Sequence, residues 1–383
     1  MDRLVIGELT ISSSALRHNA QILRDLVGAQ RAAFVVKGNA YGHGLVPVAR
    51  IVEPYAARLC VYTIDEALGL RSAGISAPIL VLGPIPTGAL ADALNAGLEV
   101  ALWNRGEFVS RLEDAARAAG ATASVHVKVN TDLNRLGVEP HELGQVVDKL
   151  SDVPALHIAG IFSHLASAEE LDSPYTMRQL GAFERSLEEA RPLLERQPVR
   201  PLAHIAASAA AMLWPHTRLD MARIGIALYG LWPSQATREA IGSAGPELRP
   251  ALAYRSKLVA TRTIAAGAHV GYGGSFRASR EMRIGVVPAG YVDGIPRALS
   301  NRGAFAVDGA RCPIVGRVAM NMTEIDLTGA PNAHPGSVVT LVGRDGDVTI
   351  GADDWAEWAE TINYEIVTRL PGDVRRTYVE EEP

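Results

Sequence analysis

A lysine ends the apolar run in Phe34-Val35-Val36-Lys37-Gly38-Asn39-Ala40-Tyr41-Gly42-His43-Gly44. Three apolar residues followed by small and polar ones predict a short buried strand opening into a loop, with Lys37 at its exit. A lysine there is costly to bury unless it has a partner or a task. An amine in a partly desolvated pocket loses its proton readily and can attack a carbonyl carbon, forming a Schiff base. Tyr41 adds a phenol, and Gly38, Gly42 and Gly44 let a backbone pass close to a ligand. The bland alternative is a surface lysine after an edge strand and a glycine-rich turn. Further candidates are Lys128 in His126-Val127-Lys128-Val129-Asn130, Arg135 in Asp132-Leu133-Asn134-Arg135-Leu136-Gly137, His164, Ser208, and Arg223-Ile224-Gly225-Ile226. Taken singly, His164 reads as a core histidine, Ser208 as a helix cap and Arg223 as a structural ion-pair partner.

Their joint placement depends on the elements that carry them. Strand candidates at Leu59–Tyr62, Ile79–Leu82, Leu98–Leu102, Val125–Val129, His157–Phe162, Leu202–Ala206 and near Met221–Ile226 alternate with helical stretches such as Asp65–Ala73, Gly106–Ala119, Glu142–Leu150 and Tyr175–Leu194. With the Lys37 strand this makes eight strand–helix units in about 220 residues, which fits a closed barrel of parallel strands. The competing open doubly wound sheet lacks its GxGxxG turn. Gly, Pro, Ala and Ser crowd 234–250, as at a domain junction. Short β-type runs follow at Ser256–Ile264, Arg283–Val287, Ala304–Val307, Pro313–Val315, Thr323–Leu327, Ser337–Val342 and Val374–Val379, with one helix at about Asp353 to Thr361. The expected fold is α/β, a (β/α)8 TIM barrel over residues 12–235 followed by a mainly-β C-terminal domain over 236–383. A strand within residues 1–11 joins the second domain, because the barrel count is full. Ser12-Ser13-Ser14 can cap the helix after it, and Gly28 can end that helix.

In such a barrel the useful positions are the C-terminal ends of strands. Lys37, Lys128, His164, Ser208 and Arg223 all fall there. Ser208 and the amides of Gly225 and Ile226 follow strands seven and eight, where barrels commonly hold a phosphate. A Schiff-base lysine across the mouth from a phosphate site suggests pyridoxal 5'-phosphate (PLP).

Composition narrows the classes. The 383 residues are 48% hydrophobic and 21% charged, as in a soluble globular protein. A formal net charge of -5 argues against a nucleic-acid partner. No apolar run reaches membrane-spanning length and no signal peptide is evident, so a cytoplasmic protein is expected. Cys60 and Cys312 are far apart and expected to be buried reduced thiols, with no metal site.

The chain resembles the alanine racemase family. VVKGNAYGHG is similar to the family's PLP-lysine signature, which normally has Ala at Gly38. Further motifs are RLG at Arg135–Gly137, His204-Ile205-Ala206-Ala207-Ser208-Ala209-Ala210, RxGIxxYG from Arg223 to Gly230, VGYG from Val270 to Gly273, GYxDGxxR from Gly290 to Arg297, GRVxM from Gly316 to Met320, and Tyr364-Glu365. They span nearly the whole chain in the family's order. The resemblance implies a PLP-dependent racemase of L- and D-alanine, acting as a homodimer with shared sites. Lys37 would hold PLP. Tyr41, Ser208, Gly225, Ile226 and Tyr364 would hold its phosphate. Arg223 would face the pyridine nitrogen with His164 bonded behind it. Arg135 would reach the cofactor's phenolate oxygen and the substrate carboxylate. The Met320 amide would also meet that carboxylate, with Tyr291 on the substrate side. Lys128 aligns with a lysine often carbamylated in the family. Lys37 and the second subunit's Tyr272 would serve as bases on opposite faces of the substrate.

Some positions depart from the family's pattern. Where GRxCMDQ is usual, this chain has Arg317-Val318-Ala319-Met320-Asn321-Met322, and NTDLNRLG replaces DTGMGRLG around Asn130 and Asn134. Ile295 stands where Tyr is common. These changes leave room for another or a broader set of amino acids. A decarboxylase of the same architecture would carry an acid in place of Arg223. A cofactor-buffering protein would be the barrel alone. A racemase-like binder without catalysis is the remaining alternative.

Overall fold

The computed structural model describes residues 7–104 and 106–381. Its contacts divide the chain into two units. One comprises Leu16–Ala40 and Leu45–Arg249; the other comprises Met1–Ala15, Tyr41–Gly44 and Pro250–Pro383. The first strand, β1 (Glu8–Ser12), leads into a helix over Ser13–Val27. Ser12 Oγ accepts the Ala15 N–H at 3.0 Å, so the serine run caps this helix as expected. The strand expected within residues 1–11 is seen from Glu8; residues 1–6 lie outside the described residues.

The barrel strands are β2 (Ala32–Val35), β3 (Arg58–Val61), β4 (Ile79–Val81), β5 (Glu99–Leu102), β6 (Ala123–Lys128), β7 (Leu156–Phe162), β8 (Leu202–His204) and β9 (Ala222–Ile224). All pair in parallel, in the order β8-β7-β6-β5-β4-β3-β2-β9. The two ends of that run meet at a parallel bridge between Ala207 and Arg223, where the Arg223 N–H reaches Ala206 O at 3.0 Å. The barrel is thus nearly closed. Its strands are buried on both sides, which is why they read as apolar runs rather than alternations.

The second unit is mainly β. After β10 (Leu252–Lys257), β11 (Ala260–Ile264), β12 (His269–Val270), β13 (Phe276–Arg277) and β14 (Met282–Val287) come β15 (Ala304–Val307), β16 (Ala310–Pro313), β17 (Thr323–Asp326), β18 (Val338–Asp345), β19 (Val348–Ile350) and β20 (Arg375–Val379). The main sheet runs β16-β15-β18-β10-β1-β20, with β19 on β18. β1 lies antiparallel to β10 and parallel to β20, so the strand before the barrel belongs to this sheet. Trp355, Tyr254 and Phe305 fill its core.

Three expectations need correction. The run Ser256–Ile264 is two strands in different sheets, β10 and β11. The helix expected at about 353–361 is present as Ala352–Ala359, ended by Glu360 in a left-handed conformation (φ 57°), but it is not alone, since a second helix, Asn363–Thr368, follows it. The 234–250 junction contains a helix over Gln235–Ile241, started by Ser234, whose side chain accepts the Thr237 N–H. Local capping there outweighs a loop-like composition. Cys60 and Cys312 are buried and free. Among the described residues no helix is long and apolar enough to cross a membrane.

Candidate active site

β2 delivers Lys37 through Val36, whose N–H bonds Cys60 O at 2.8 Å on β3. The backbone then does something its sequence does not announce. Gly38, Asn39, Ala40 and Tyr41 take φ of 65°, 54°, 53° and 50°, a short left-handed turn. For Ala and Tyr this costs about 1–2 kcal/mol per residue. Part of the compensation is a hydrogen bond from Ala40 N–H to Val36 O at 2.8 Å. The Lys37 amine stands 5.9 Å over the Tyr62 ring. Burial, then Arg135 and Arg223, pull its pKa below the usual lysine value, with Glu66 acting in the opposite direction.

Four cations therefore share one barrel mouth. Lys128 is buried at the end of β6, and its amine lies 5.7 Å over the Phe162 ring. Burial together with Arg135, Arg223 and Lys37 lowers it to about 8. No acid is among the groups that shift it, so Lys128 and Arg135 are like-charge neighbours. Arg135 itself is exposed on a latched loop. Asn130 Nδ2 donates to Asn134 Oδ1 (2.9 Å) and Glu139 Oε1 (3.0 Å), while the Asn134 N–H returns a bond to Asn130 Oδ1 at 2.9 Å. The two asparagines that depart from the family's loop thus act on each other.

Arg223 is buried on β9, with its guanidinium 5.4 Å over Phe162. Burial brings it down to about 10, still cationic at neutral pH. Nη2 donates to Ser163 O (2.7 Å) and Ile205 O (3.2 Å) and lies 3.3 Å from His164 Nδ1. Nη1 lies 2.6 Å from His204 Nδ1. Because a guanidinium only donates, His204 Nδ1 must accept, and the ring's proton sits on Nε2. That proton points to His126 Nδ1, 2.9 Å away. His126 then carries its own proton on Nε2, 3.2 Å from Glu99 Oε2 but outside hydrogen-bond geometry. Gly160 makes room for this pair, since a Cβ there would lie 2.3 Å from His126 Nδ1. Burial and the nearby guanidinium keep His204 well below its usual pKa, and burial followed by the surrounding cations takes His164 to about 3. Glu99 ends the line. Burial opposes its charge, yet His126 and a bidentate Arg58 hold it at about 2.

Ser208, buried at the start of the helix Ser208–Leu213, accepts the Gly225 N–H at 2.9 Å. Its own hydroxyl proton has no acceptor among the described residues. Ile226 opens the turn after Gly225. The barrel unit thus brings together Lys37, Lys128, Arg135, His164, Ser208, Arg223, Gly225 and Ile226.

The remaining candidates belong to the β unit. Tyr41 and Tyr364 face each other with ring centroids 6.2 Å apart. The Tyr41–Gly44 segment is held by Arg376 Nε on Gly42 O (2.8 Å) and Tyr378 Oη on His43 O (2.8 Å). A Cβ on Gly42 would lie 2.0 Å from Val367 O, so only glycine fits. Tyr272 is 73% exposed on a turn whose preceding Gly271 has φ 71° and packs against the Arg317 backbone. Val270, Ala278, Met282, Ile284 and Val315 form the small core of that region. Tyr291 N–H bonds Ala319 O (3.0 Å) and Val292 N–H bonds Met320 O (3.1 Å). These bonded loops leave Tyr291, Val292, Met320 and Met322 exposed.

Comparison with known families and proteins places the chain among its relatives. Residues 11–233 match the model described as alanine racemase, N-terminal domain, and residues 251–378 match alanine racemase, C-terminal domain. The chain belongs to the alanine racemase family. It is 39% identical over 358 residues to an alanine racemase of Syntrophobacter fumaroxidans, covering 93% of each chain. The crystal structure of alanine racemase from D-cycloserine-producing Streptomyces lavendulae superposes with TM-score 0.91 at 36% identity, covering 99% of this chain and 98% of that one. A Bacillus anthracis alanine racemase with bound L-Ala-P gives 0.86 at 33% identity, covering 100% and 97%.

Within the family frame, sequence reasoning missed several members of the cluster. Phe162 lies under both Lys128 and Arg223, and His204 stacks on it at 5.0 Å and 4°. His126 was legible in principle, because it sits two residues before Lys128 on the same face of β6. Glu66 was not, because a glutamate two residues into a predicted helix reads as a cap.

Proposed function

We propose that the protein interconverts L- and D-alanine with PLP as cofactor, through Lys37 on one face of the substrate and Tyr272 of the partner subunit on the other. The observation that carries this is the gathering of Lys37, Lys128, Arg135 and Arg223 at one barrel mouth, with no acid among the groups that shift Lys128. Such an excess of positive charge suits a polyanion, and the unused Ser208 hydroxyl proton beside Gly225 suits its phosphate. The residues therefore fit PLP. When bound, PLP draws electron density from an attached amino acid and makes its Cα–H acidic.

Lys37 would hold the cofactor through its amine; Ser208, Gly225, Ile226, Tyr41 and Tyr364 would hold the phosphate, with Arg223 at the pyridine nitrogen and His164 behind it. A guanidinium keeps its protons, so Arg223 would not protonate that nitrogen, and charge stays near Cα. This favours return of one proton over transamination. Arg135, Tyr291 and the Met320 amide would orient the substrate. The lowered Lys37 amine would take the Cα proton on one face while the Tyr272 hydroxyl delivers one on the other, and the reverse direction exchanges these roles. Lys128, lowered to about 8, has a neutral fraction able to add carbon dioxide, releasing a proton and becoming a carbamate anion that could orient Arg135. Residues 12–235 would form the PLP-binding domain and 236–383, with the strand of 1–11, the β domain.

The exposed loop cluster of Tyr272, Tyr291, Val292, Met320 and Met322 supports a homodimer, since apolar groups gathered on bonded loops mark an association surface. The chain is proposed to act in the cytoplasm. A broader amino-acid range is the second reading, favoured by Ala319 and Asn321, which remove a thiol and a charge from the Met320 loop. A panel of L-amino acids incubated with the protein and PLP in heavy water tests the function. Deuterium at Cα of alanine with decay of optical rotation is expected. Loss of carbon dioxide, or no exchange with any amino acid, would overturn it.

A further inference from the structure

Glu66 has no part in the function proposed above, yet its carboxylate reaches two strand ends at once. Oε1 accepts the N–H of Gly38 at 2.6 Å and of Asn39 at 3.3 Å. Oε2 accepts the N–H of Tyr62 at 3.0 Å and of Thr63 at 3.2 Å. A capping-box glutamate needs only the last of these, the amide of the cap residue. The other three bonds tie the loop after β2 to the loop after β3. Gly38 and Asn39 begin the left-handed turn that follows Lys37, and Glu66 is the acceptor for both of their amides. The far side of the turn is held separately, by Leu45 N–H on Asn39 Oδ1 at 2.9 Å.

We propose that Glu66 is a positioning residue for Lys37: its carboxylate holds the left-handed turn and so fixes the direction in which the lysine leaves β2. A carboxylate is needed rather than an amide. Glutamine keeps one acceptor oxygen but aims an NH2 at the other pair of donors, so one loop is released. Charge adds a second consequence. The groups acting on the Lys37 amine are Arg135, Arg223, Glu66 and the Cys60 thiol, with the Tyr62 ring alongside and the Lys128 amine in the same mouth. Cys60 is itself pushed up to about 12 by burial and stays neutral, so Glu66 is the acid that opposes the two guanidinium groups. Removing it should move the Lys37 titration to lower pH.

This inference rests on Lys37 being the reactive amine, and its test has an arm that does not. Full-length wild type, Glu66→Gln, Glu66→Ala and Thr63→Ala are compared by amide hydrogen exchange of the peptide over residues 37–41 and by the pH dependence of kcat/KM. Thr63→Ala removes the helix cap but leaves the acceptor of Gly38 and Asn39 in place. In both Glu66 variants, exchange at residues 38 and 39 should quicken about tenfold or more and kcat/KM should fall about 10- to 100-fold. The limb reporting Lys37 should move to lower pH in the same variants. Thr63→Ala should only lower the melting temperature by a few degrees. Should Glu66→Ala not fold, Glu66→Gln carries the test. Wild-type exchange and pH limb in Glu66→Gln, or the same changes in Thr63→Ala, would overturn the proposal. A wild type that racemises no amino acid would instead sink the functional reading, while the exchange arm still decides the role of Glu66.

Discussion

The barrel mouth and the loop cluster of the β unit solve opposite problems. At the mouth, Lys37, Lys128, His164 and Arg223 are wholly or partly buried, and their protonation is set by burial and by one another. In the β unit, Tyr272 and Met320 stand exposed on turns, with the Arg317 guanidinium beside Gly273. One region has its electrostatics assembled within its own fold. The other offers a positioned hydroxyl and apolar side chains that call for a covering surface. In the proposed function, the first base would be tuned by its own chain, and the second would meet its covering surface on association.

Breaking the first side should have the largest effect. Lys37→Ala is expected to lower kcat by about 10³-fold or more, because in the proposed function it removes both the cofactor's anchor and one base. Borohydride reduction followed by peptide mass spectrometry should find the cofactor on Lys37 in the wild type and nowhere in the variant. Tyr272→Phe tests the other side more selectively. It should slow Cα exchange of one alanine enantiomer by about 10²-fold or more and that of the other far less, read by deuterium uptake from each pure enantiomer. Equal losses would remove the two-base picture.

Smaller effects sharpen the electrostatic half of the contrast. His164 titrates at about 3 in the folded chain but near 6.5 when unfolded. The unfolded state therefore binds more protons between those values, and stability present above 6.5 is lost as pH falls toward 3. His164→Gln should shrink the stability difference between pH 7 and pH 4.5 by about 2 kcal/mol in urea titrations. Lys128 has the same sign in another window. Its burial penalty is fully present below about 8 and relieved as pH rises toward 10.5. Lys128→Met should thus raise stability at neutral pH by about 1 kcal/mol after discounting for screening at the barrel mouth, while lowering activity. Asn321→Asp is the mildest change. It should leave folding untouched and shift the ratio of kcat/KM for alanine over bulkier amino acids by less than about tenfold.

How much of this could be read from residues alone follows the same division. Lys37 was visible because a parallel strand buried on both faces reads as an unbroken apolar run, and a lysine interrupts it. The strand count then placed Lys128, Ser208 and Arg223 at one end of the barrel. The left-handed turn after Lys37 was not visible, since Ala40 and Tyr41 have no preference for positive φ and are held there by contacts distant in sequence. The line from Arg223 through His204 and His126 to Glu99 was hidden too, because it joins four strands and depends on the space left by Gly160. In the β unit the glycine turns were legible, but β12 and β13 are only two residues each and fall below what alternation can reveal.

The most direct test of two bases drawn from two copies is subunit mixing. Lys37→Ala and Tyr272→Phe proteins are each assayed alone, then unfolded together, refolded with PLP and assayed in the direction that Tyr272→Phe disables. A mixed dimer pairs the intact Lys37 of one copy with the intact Tyr272 of the other at one of its two sites. Random pairing should then restore about a quarter of wild-type activity. A mixture no more active than its two parents would contradict the account.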